Sequence, residues 1–200
     1  MSVIARRSVL AGAGVAAAAT VATVISLRKP DAPRVVTLTA DTGPDAVHLQ
    51  SLAALKPVVP PAAVADVSFV DASGATRHLR DFAGKGVLLN LWATWCGPCV
   101  AEMPSLAHFA RGAAGQGIVV LPLCTDRGTA ASVEQFYHAH GIKGLMVASD
   151  PTGSVTETLS LRGLPTTLVI DRAGRERARL EGGADWAAPD ALAILRKIIA

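Results

Sequence analysis

The pattern of apolar and polar positions along residues 64–200 predicts both strands and helices. Nearly continuous apolar runs at 86–92 (GVLLNLW) and 118–124 (IVVLPLC) predict strands buried on both faces of a sheet. Apolar residues at helical spacing predict four helices. These helices are expected over about 97–111, 129–140, 155–161 and 188–199, and one more short strand is expected over 145–148.

Two turn signals separate further pairs of short strands. The turns are Asp71-Ala-Ser-Gly74, between 67–70 and 76–78, and Asp171-Arg-Ala-Gly174, between 167–170 and 177–181. Strands thus alternate with helices until a hairpin and a last helix close the chain. This order predicts an α/β fold with a mixed central sheet and helices on both faces.

The first 29 residues have the pattern of a membrane anchor or signal segment. An uncharged run of 20 residues, 8–27, is long enough to span a bilayer and is bracketed by Arg6-Arg7 and Arg28-Lys29. An uncleaved anchor fits these flanking charges. A cleaved signal peptide is the alternative, because Ala17-Ala18-Ala19 offers small residues for cleavage and the arginine pair resembles a twin-arginine export signal. A buried helix of a soluble protein is the third interpretation.

Residues 30–63 are predicted to form a proline-rich linker, followed by a folded domain over 64–200. Six of the twelve prolines lie in the linker and favour an extended chain, although a short helix fits between Asp45 and Leu55. Residues 1–65 hold six Lys/Arg and three Asp/Glu, whereas the remaining residues hold thirteen of each. Because no basic cluster is interleaved with aromatic residues, we expect no nucleic-acid partner.

The motif Trp95-Cys96-Gly97-Pro98-Cys99 carries the candidate chemistry. It stands where a buried strand is expected to end and a helix to begin, and the unpaired N–H groups of a helix N-terminus stabilise a thiolate. The thiolate is the attacking species in disulfide exchange. We therefore expect Cys96 to be an exposed nucleophile and Cys99, one helical turn further on, to resolve the mixed disulfide.

Other uses of this cysteine pair fit the sequence less well. A zinc site needs more ligands, and the chain has neither a second CxxC nor a histidine at ligand spacing beside the motif. A purely structural disulfide is hard to reconcile with a four-residue loop at a helix start. Leu89 and Ala93 stand where a peroxiredoxin would carry Pro and Thr. Redox catalysis without a metal or a cofactor is therefore the prediction.

The stretch from Asn90 to Cys99 (NLWATWCGPC), continued by Val-Ala-Glu-Met-Pro104, resembles the thioredoxin superfamily. Within it, the chain is similar to the TlpA/ResA branch of membrane-anchored periplasmic oxidoreductases, and residues 182–186 (GGADW) resemble TlpA members of that branch. The resemblance covers about 64–200. It implies a thioredoxin fold with an N-terminal β-hairpin and an inserted strand–helix unit, which we place within 136–161.

The resemblance also assigns roles to individual residues. Gly163-Leu-Pro-Thr-Thr167 matches the family's cis-proline loop, so a cis bond before Pro165 is expected to set the backbone of Leu164 beside Cys96. Glu102 matches a family carboxylate that would take the proton of Cys99; a solvated helix charge is the alternative. Asn90 replaces the buried aspartate of ordinary thioredoxins, which agrees with this branch.

The remaining expectations concern contacts and packing. Substrate-binding residues are predicted to be Trp95, Gly97, Pro98, Leu164 and Pro165, with plain surface packing as the alternative for Trp95. Trp92 is expected in the core. The third cysteine, Cys124, ends a predicted strand, so a buried inert thiol is expected, and a regulatory or intermolecular thiol is the alternative.

The family implies reduction of particular exported proteins with electrons from a membrane-bound donor. Typical targets are apocytochrome c and the copper-site proteins of respiratory oxidases. The catalytic domain would then lie in the periplasm, anchored to the bacterial inner membrane, or soluble there if the leader is cleaved. Two alternatives stay open: a disulfide oxidase or isomerase in the same compartment, and an assembly factor that holds copper between the two thiolates and a partner.

Overall fold

The computed structural model of the protein describes residues 47–200. Its strands are β1 (Lys56–Ala63), β2 (Ser68–Asp71), β3 (Thr76–His78), β4 (Gly86–Trp92), β5 (Ile118–Cys124), β6 (Ala148–Ser149), β7 (Thr166–Ile170) and β8 (Arg175–Glu181). Its helices are α1 (Gly97–Ala113), α2 (Ala130–Ala139), α3 (Val155–Thr158) and α4 (Ala191–Ile199), and short 3₁₀ turns lie at Leu52–Ala54 and Leu79–Phe82.

All eight strands belong to one mixed sheet, in the order β1-β8-β7-β4-β5-β6-β2-β3. The central strand β4 runs parallel to β5 and antiparallel to β7, and β5 runs parallel to β6. Crossovers through α1 and α2 join these parallel pairs, as parallel neighbours require. The mixed α/β sheet predicted from the alternation of elements is therefore confirmed.

Two apolar cores, one on each face of the sheet, explain why the central strands are apolar throughout. On one face, Leu88 of β4 packs among residues from α1, α2 and α4, such as Met103 and Leu195. On the other face, Leu89 packs with residues from the 3₁₀ turn at Leu79–Phe82 and with Val155 of α3. Every residue of β4 is buried, so the strand alternates between two interiors rather than between core and water.

The folded region begins earlier than the sequence predicts. Residues 56–63, which we assigned to the linker, form β1 and pair antiparallel with β8 along the edge of the sheet. Prolines lack an N–H group, and an edge strand is where a sheet accepts them. Leu52, also expected in the linker, is buried in the core with only 4% of its surface exposed. The family's N-terminal hairpin is present as β2 and β3.

Other elements agree with the prediction to within a few residues. Helix α4 begins at Ala191 rather than near residue 188, and β6 and α3 lie inside the range expected for the inserted unit. The anchor or signal segment, 1–29, and half of the linker, 30–46, lie outside the described residues. Within residues 47–200, no helix combines the length and the apolar character that a membrane crossing requires.

Candidate active site

The two cysteines of the motif stand at the junction of β4 and α1. Cys96 is the N-cap of α1: its sulfur accepts a hydrogen bond from the backbone N–H of Cys99 at 3.3 Å. Pro98 lies in the first turn, where a missing N–H leaves no hydrogen bond unmade. Cys96 and Cys99 form a disulfide, with 5.3 Å between their Cα atoms. The predicted position of the motif at the start of a helix is therefore confirmed.

Exposure differs sharply among the residues of the motif. Trp95 is 76% exposed, Cys96 is 6% exposed and Cys99 is completely buried. Cys96 is the more accessible of the two cysteines, but the exposed Cys96 that the sequence predicts is instead buried. Trp95, by contrast, presents an indole to solvent beside the disulfide.

Glu102 is fully buried one turn along α1 from Cys99, so the alternative of a solvated helix charge is wrong. Its Oε1 atom accepts a hydrogen bond from Asn90 Nδ2 at 2.8 Å. Its Oε2 atom accepts two more, from the Ala184 backbone N–H at 2.8 Å and from Trp186 Nε1 at 3.1 Å. Burial raises the pKa of Glu102 above its ordinary value, and these hydrogen bonds only partly oppose that effect.

Asn90 joins this carboxylate to β7. Its Nδ2 atom also donates to Thr167 Oγ1 at 2.9 Å, while its Oδ1 atom is buried without a hydrogen-bond partner in the part of the chain described. The amide thus donates to Glu102 and cannot itself take a proton. Of these two side chains, only Glu102 can therefore hold a proton that it could exchange.

The loop between β8 and α4, residues 182–186, supplies contacts that the sequence did not assign to the site. It carries both Oε2 donors, and a Cβ atom added to Gly183 would lie 3.1 Å from the carbonyl oxygen of Pro98. The loop therefore touches the first turn of α1 directly. The only sequence signal for it was the similarity of GGADW to the TlpA members, which named no role.

Gln50, which precedes β1, forms hydrogen bonds with this loop and with the end of β8. Its N–H donates to the Gly183 carbonyl at 2.8 Å, and its own carbonyl accepts from the N–H of Asp185 at 3.0 Å. Its side-chain amide donates to the Glu181 carbonyl at 2.9 Å. The chain just before β1 is thus bonded to the loop that binds Glu102.

The proline loop has the conformation that the resemblance implied. The Leu164–Pro165 bond is cis, and the Pro165 carbonyl accepts a hydrogen bond from Gly182 N–H at 2.8 Å. Leu164 is half-buried against both cores. Its expected pairing with a substrate chain beside Cys96 stays a prediction.

Asp126, which the sequence analysis did not assign to the site, binds Thr94, two residues before Cys96. Asp126 Oδ2 accepts hydrogen bonds from the backbone N–H of Thr94 at 3.0 Å and from its hydroxyl at 2.5 Å.

The third cysteine, Cys124, is a free, buried thiol, as expected, and burial raises its pKa to about 12. Trp92 is also in the core as predicted, stacked on Tyr137 with ring centroids 5.7 Å apart. Among residues 47–200, no group of three or more His, Cys, Asp or Glu side chains is placed to hold a metal ion.

A mixed sheet that sets a CxxC pair at the start of a helix, with a cis-proline loop on the neighbouring strand, defines a thioredoxin-like fold. The profile of the Redoxin family matches residues 56–195. The chain therefore belongs to the Redoxin family.

Two named relatives are similar to this chain in sequence. ResA, a thiol-disulfide oxidoreductase of Bacillus thuringiensis subsp. konkukian, is 35% identical over 112 residues, 56% of this chain and 64% of the relative. The match thus spans slightly less than two thirds of that relative. The exposed lipoprotein thioredoxin Etrx1 of Streptococcus pneumoniae strain TIGR4 is 32% identical, with a TM-score of 0.54 over 66% of this chain and 99% of that structure.

A third comparison bears on the fold alone. A thiol:disulfide interchange protein of Chlorobium tepidum TLS superposes with a TM-score of 0.59 over 72% of this chain and 99% of that structure, at 21% identity.

Proposed function

We propose that the protein is a thiol–disulfide oxidoreductase that reduces disulfides in exported proteins. The observation that carries the proposal is the Cys96–Cys99 pair at the N-terminus of α1, with Cys96 slightly exposed, Cys99 fully buried and a buried carboxylate one turn along the helix from Cys99. The names of the relatives support the same class of reaction.

The reaction takes two exchanges. The Cys96 thiolate attacks one sulfur of the substrate disulfide, forms a mixed disulfide and releases the first substrate thiolate, which takes a proton from water. Cys99 then gives its proton to Glu102, and its thiolate attacks the Cys96 sulfur and releases the second substrate thiolate. The substrate gains two electrons, and the enzyme retains the Cys96–Cys99 disulfide until a membrane-bound dithiol donor reduces it.

The surroundings of each group suit its part in this sequence. The helix N-terminus favours the thiolate of Cys96. Burial raises the pKa of Glu102 towards the range in which a carboxylate exchanges protons near neutral pH. Exposed Trp95, with Gly97 and Pro98, offers a surface for the substrate chain, and Leu164 and Pro165 complete it.

We base the proposed direction, substrate and location on the sequence and on its resemblance to the TlpA/ResA branch. The Gly97-Pro98 dipeptide is the one found in thioredoxin, whose potential of about −270 mV is reducing. We infer that the substrates are apocytochrome c or copper-site proteins of a respiratory oxidase. We also infer that residues 1–29 hold the domain on the periplasmic side of the bacterial inner membrane.

The deciding experiment is the midpoint potential of the full-length protein in detergent, equilibrated in graded redox buffers and read by thiol alkylation. A value near or below about −230 mV supports the reductase, whereas about −120 to −180 mV would assign the protein to the disulfide oxidases or isomerases. Cys96→Ser should abolish disulfide reduction. Cys124→Ser is the matched control, because it removes a buried thiol outside the pair and should leave turnover intact.

A second experiment addresses the substrate. Cys99→Ser should accumulate a mixed disulfide through Cys96 with an oxidised apocytochrome c or an oxidised copper-site domain, and not with an equally accessible disulfide in an unrelated protein. Indiscriminate trapping would contradict substrate specificity. Tight, stoichiometric Cu(I) binding by the reduced protein, without turnover, would instead favour the copper-holding assembly factor.

A further inference from the structure

The loop at residues 182–186 binds the carboxylate oxygen of Glu102 that Asn90 does not bind. Two of the three hydrogen bonds to the carboxylate come from this loop, and both end on the same oxygen, Oε2. Asn90 holds the other oxygen. The carboxylate is therefore fixed in one orientation by groups that lie 12 to 84 positions away in the chain.

We propose that Trp186 is a positioning residue for the dithiol reaction, because its indole N–H, together with the Ala184 amide, orients the Glu102 carboxylate that takes the proton of Cys99. The inference rests on the proposed function of Glu102. It adds that the hydrogen bond from Trp186, and not only its bulk, serves the resolving step.

A comparison of two buried tryptophans separates hydrogen bonding from packing. Trp92 and Trp186 are both fully buried. The Nε1 atom of Trp92 has no hydrogen-bond partner in the described part of the chain, so this indole contributes through packing, whereas Nε1 of Trp186 lies 3.1 Å from Glu102 Oε2. An aromatic ring without an N–H could still pack against Phe109, whose ring centroid is 6.4 Å from that of Trp186.

Several hydrogen bonds and close contacts anchor the loop that binds the carboxylate. Gln50 binds it through both backbone hydrogen bonds and through a side-chain bond to Glu181. Gly183 packs so closely that a Cβ atom there would lie 3.0 Å from Leu49 Cδ2 as well as near Pro98. Ser105 Oγ accepts a further hydrogen bond from the Trp186 backbone N–H at 3.2 Å, which fixes the residue on α1 itself.

The sign of the effect follows from which form of Glu102 the bond favours. A hydrogen bond donated to a carboxylate stabilises the charged form, so its loss makes the carboxyl group keep its proton to higher pH. At neutral pH a smaller fraction of Glu102 would then be free to take the Cys99 proton. The resolving step should slow, whereas the attack by Cys96, which does not use Glu102, should not.

The test separates these two steps in one reaction. Reduced full-length protein in detergent is mixed with 5,5′-dithiobis(2-nitrobenzoate); attack by Cys96 releases one coloured thiolate, and resolution by Cys99 releases a second. The rates of both phases are followed from pH 5 to pH 9. In Trp186→Phe, the inflection of the second phase should move to higher pH by about one unit, with up to a tenfold slower second phase below it. The first phase should be unchanged.

Two further variants decide whether the bond is the cause. Trp92→Phe makes the same change of ring in a core position without a hydrogen bond, and it should not move the inflection. Glu102→Gln should remove the inflection, and Trp186→Phe added to it should have no further effect on the pH profile. If Trp186→Phe loosens the fold, benzothienylalanine at position 186 keeps the indole shape without the N–H and should give the same shift.

Each outcome has one meaning. An inflection that stays in place in both position-186 variants, or that moves equally in Trp92→Phe, would overturn the role of Trp186 while leaving the dithiol chemistry intact. An inflection that persists in Glu102→Gln would overturn this inference together with the role of Glu102. Release of a single thiolate at every pH would show that Cys99 does not resolve the mixed disulfide, which would overturn the proposed function itself and this inference with it.

Discussion

Glu102→Gln should change how the stability of the oxidised protein depends on pH. Burial raises the pKa of Glu102 above its ordinary value of 4.5, so between that value and the folded-state pKa the native protein binds a proton that the unfolded chain releases. The native state is therefore favoured most when the carboxyl group is protonated in both states. This contribution is fully present below about pH 4.5 and is lost as the pH rises through the raised pKa.

Since a single group titrates differently in the native and unfolded states, the slope of the stability difference with pH cannot exceed the value for one proton. Wild-type stability relative to Glu102→Gln should fall with a limiting slope of about 1.4 kcal/mol per pH unit in that window and become flat above it. Taking the difference between the two proteins cancels the other carboxylates, which titrate in both. The structure locates the cause in one group, because Glu102 is completely buried.

The assay is denaturant unfolding of both oxidised proteins in detergent, followed by fluorescence, at half-unit steps between pH 4 and pH 8. Glu134→Gln is the control: Glu134 lies on the exposed side of α2, so the same change of side chain should give no such trend. A difference that grows in favour of the wild type with rising pH would refute the reasoning. It would mean that the three hydrogen bonds to Glu102 outweigh its burial.

Three simpler predictions follow from packing and burial. Gly183→Ala should lower the free energy of unfolding by about 1–3 kcal/mol, because the new Cβ would approach Leu49 and Pro98 to 3.0 and 3.1 Å. Gly112→Ala, in α1 with nothing within 4 Å of the new Cβ, should raise that free energy by about 0.5–1 kcal/mol in the same denaturation assay. Cys124 should resist iodoacetamide at pH 8 until denaturant is added, since burial raises its pKa to about 12; prompt labelling of the native protein, detected by mass spectrometry, would contradict its burial.

The elements nearest the dithiol were predictable because their signals are local. An apolar run with no polar alternation marks β4, and a motif with Pro98 in the first turn marks the start of α1. Helix–strand alternation then restricts the sheet to a small set of arrangements. Strand β1 was missed for the opposite reason. Its prolines indicate a linker, and only pairing with β8, more than a hundred residues later in the chain, makes them part of a sheet edge.

The surroundings of Glu102 could be predicted only in part. The spacing of three residues from Cys99 places the carboxylate on the same face of a helix, which the sequence shows directly. Its burial and its partners depend on Ala184, which donates through its backbone, and on Trp186, which lies 84 positions away. Because every residue except proline has a backbone N–H group, the residue type at position 184 does not indicate this hydrogen bond. The pattern GGADW marks the loop, but nothing in the pattern indicates what it contacts.

The hydrogen bonds of Gln50 have a practical consequence for anyone preparing a soluble fragment. The predicted domain boundary at residue 64, and equally a start at the family match at residue 56, would cut away the amino acid that holds the loop of Ala184 and Trp186. Such a fragment would keep the disulfide and most of the sheet, and it could pass a test for disulfide reduction while carrying a mispositioned acid. Truncation should therefore stop at or before residue 47.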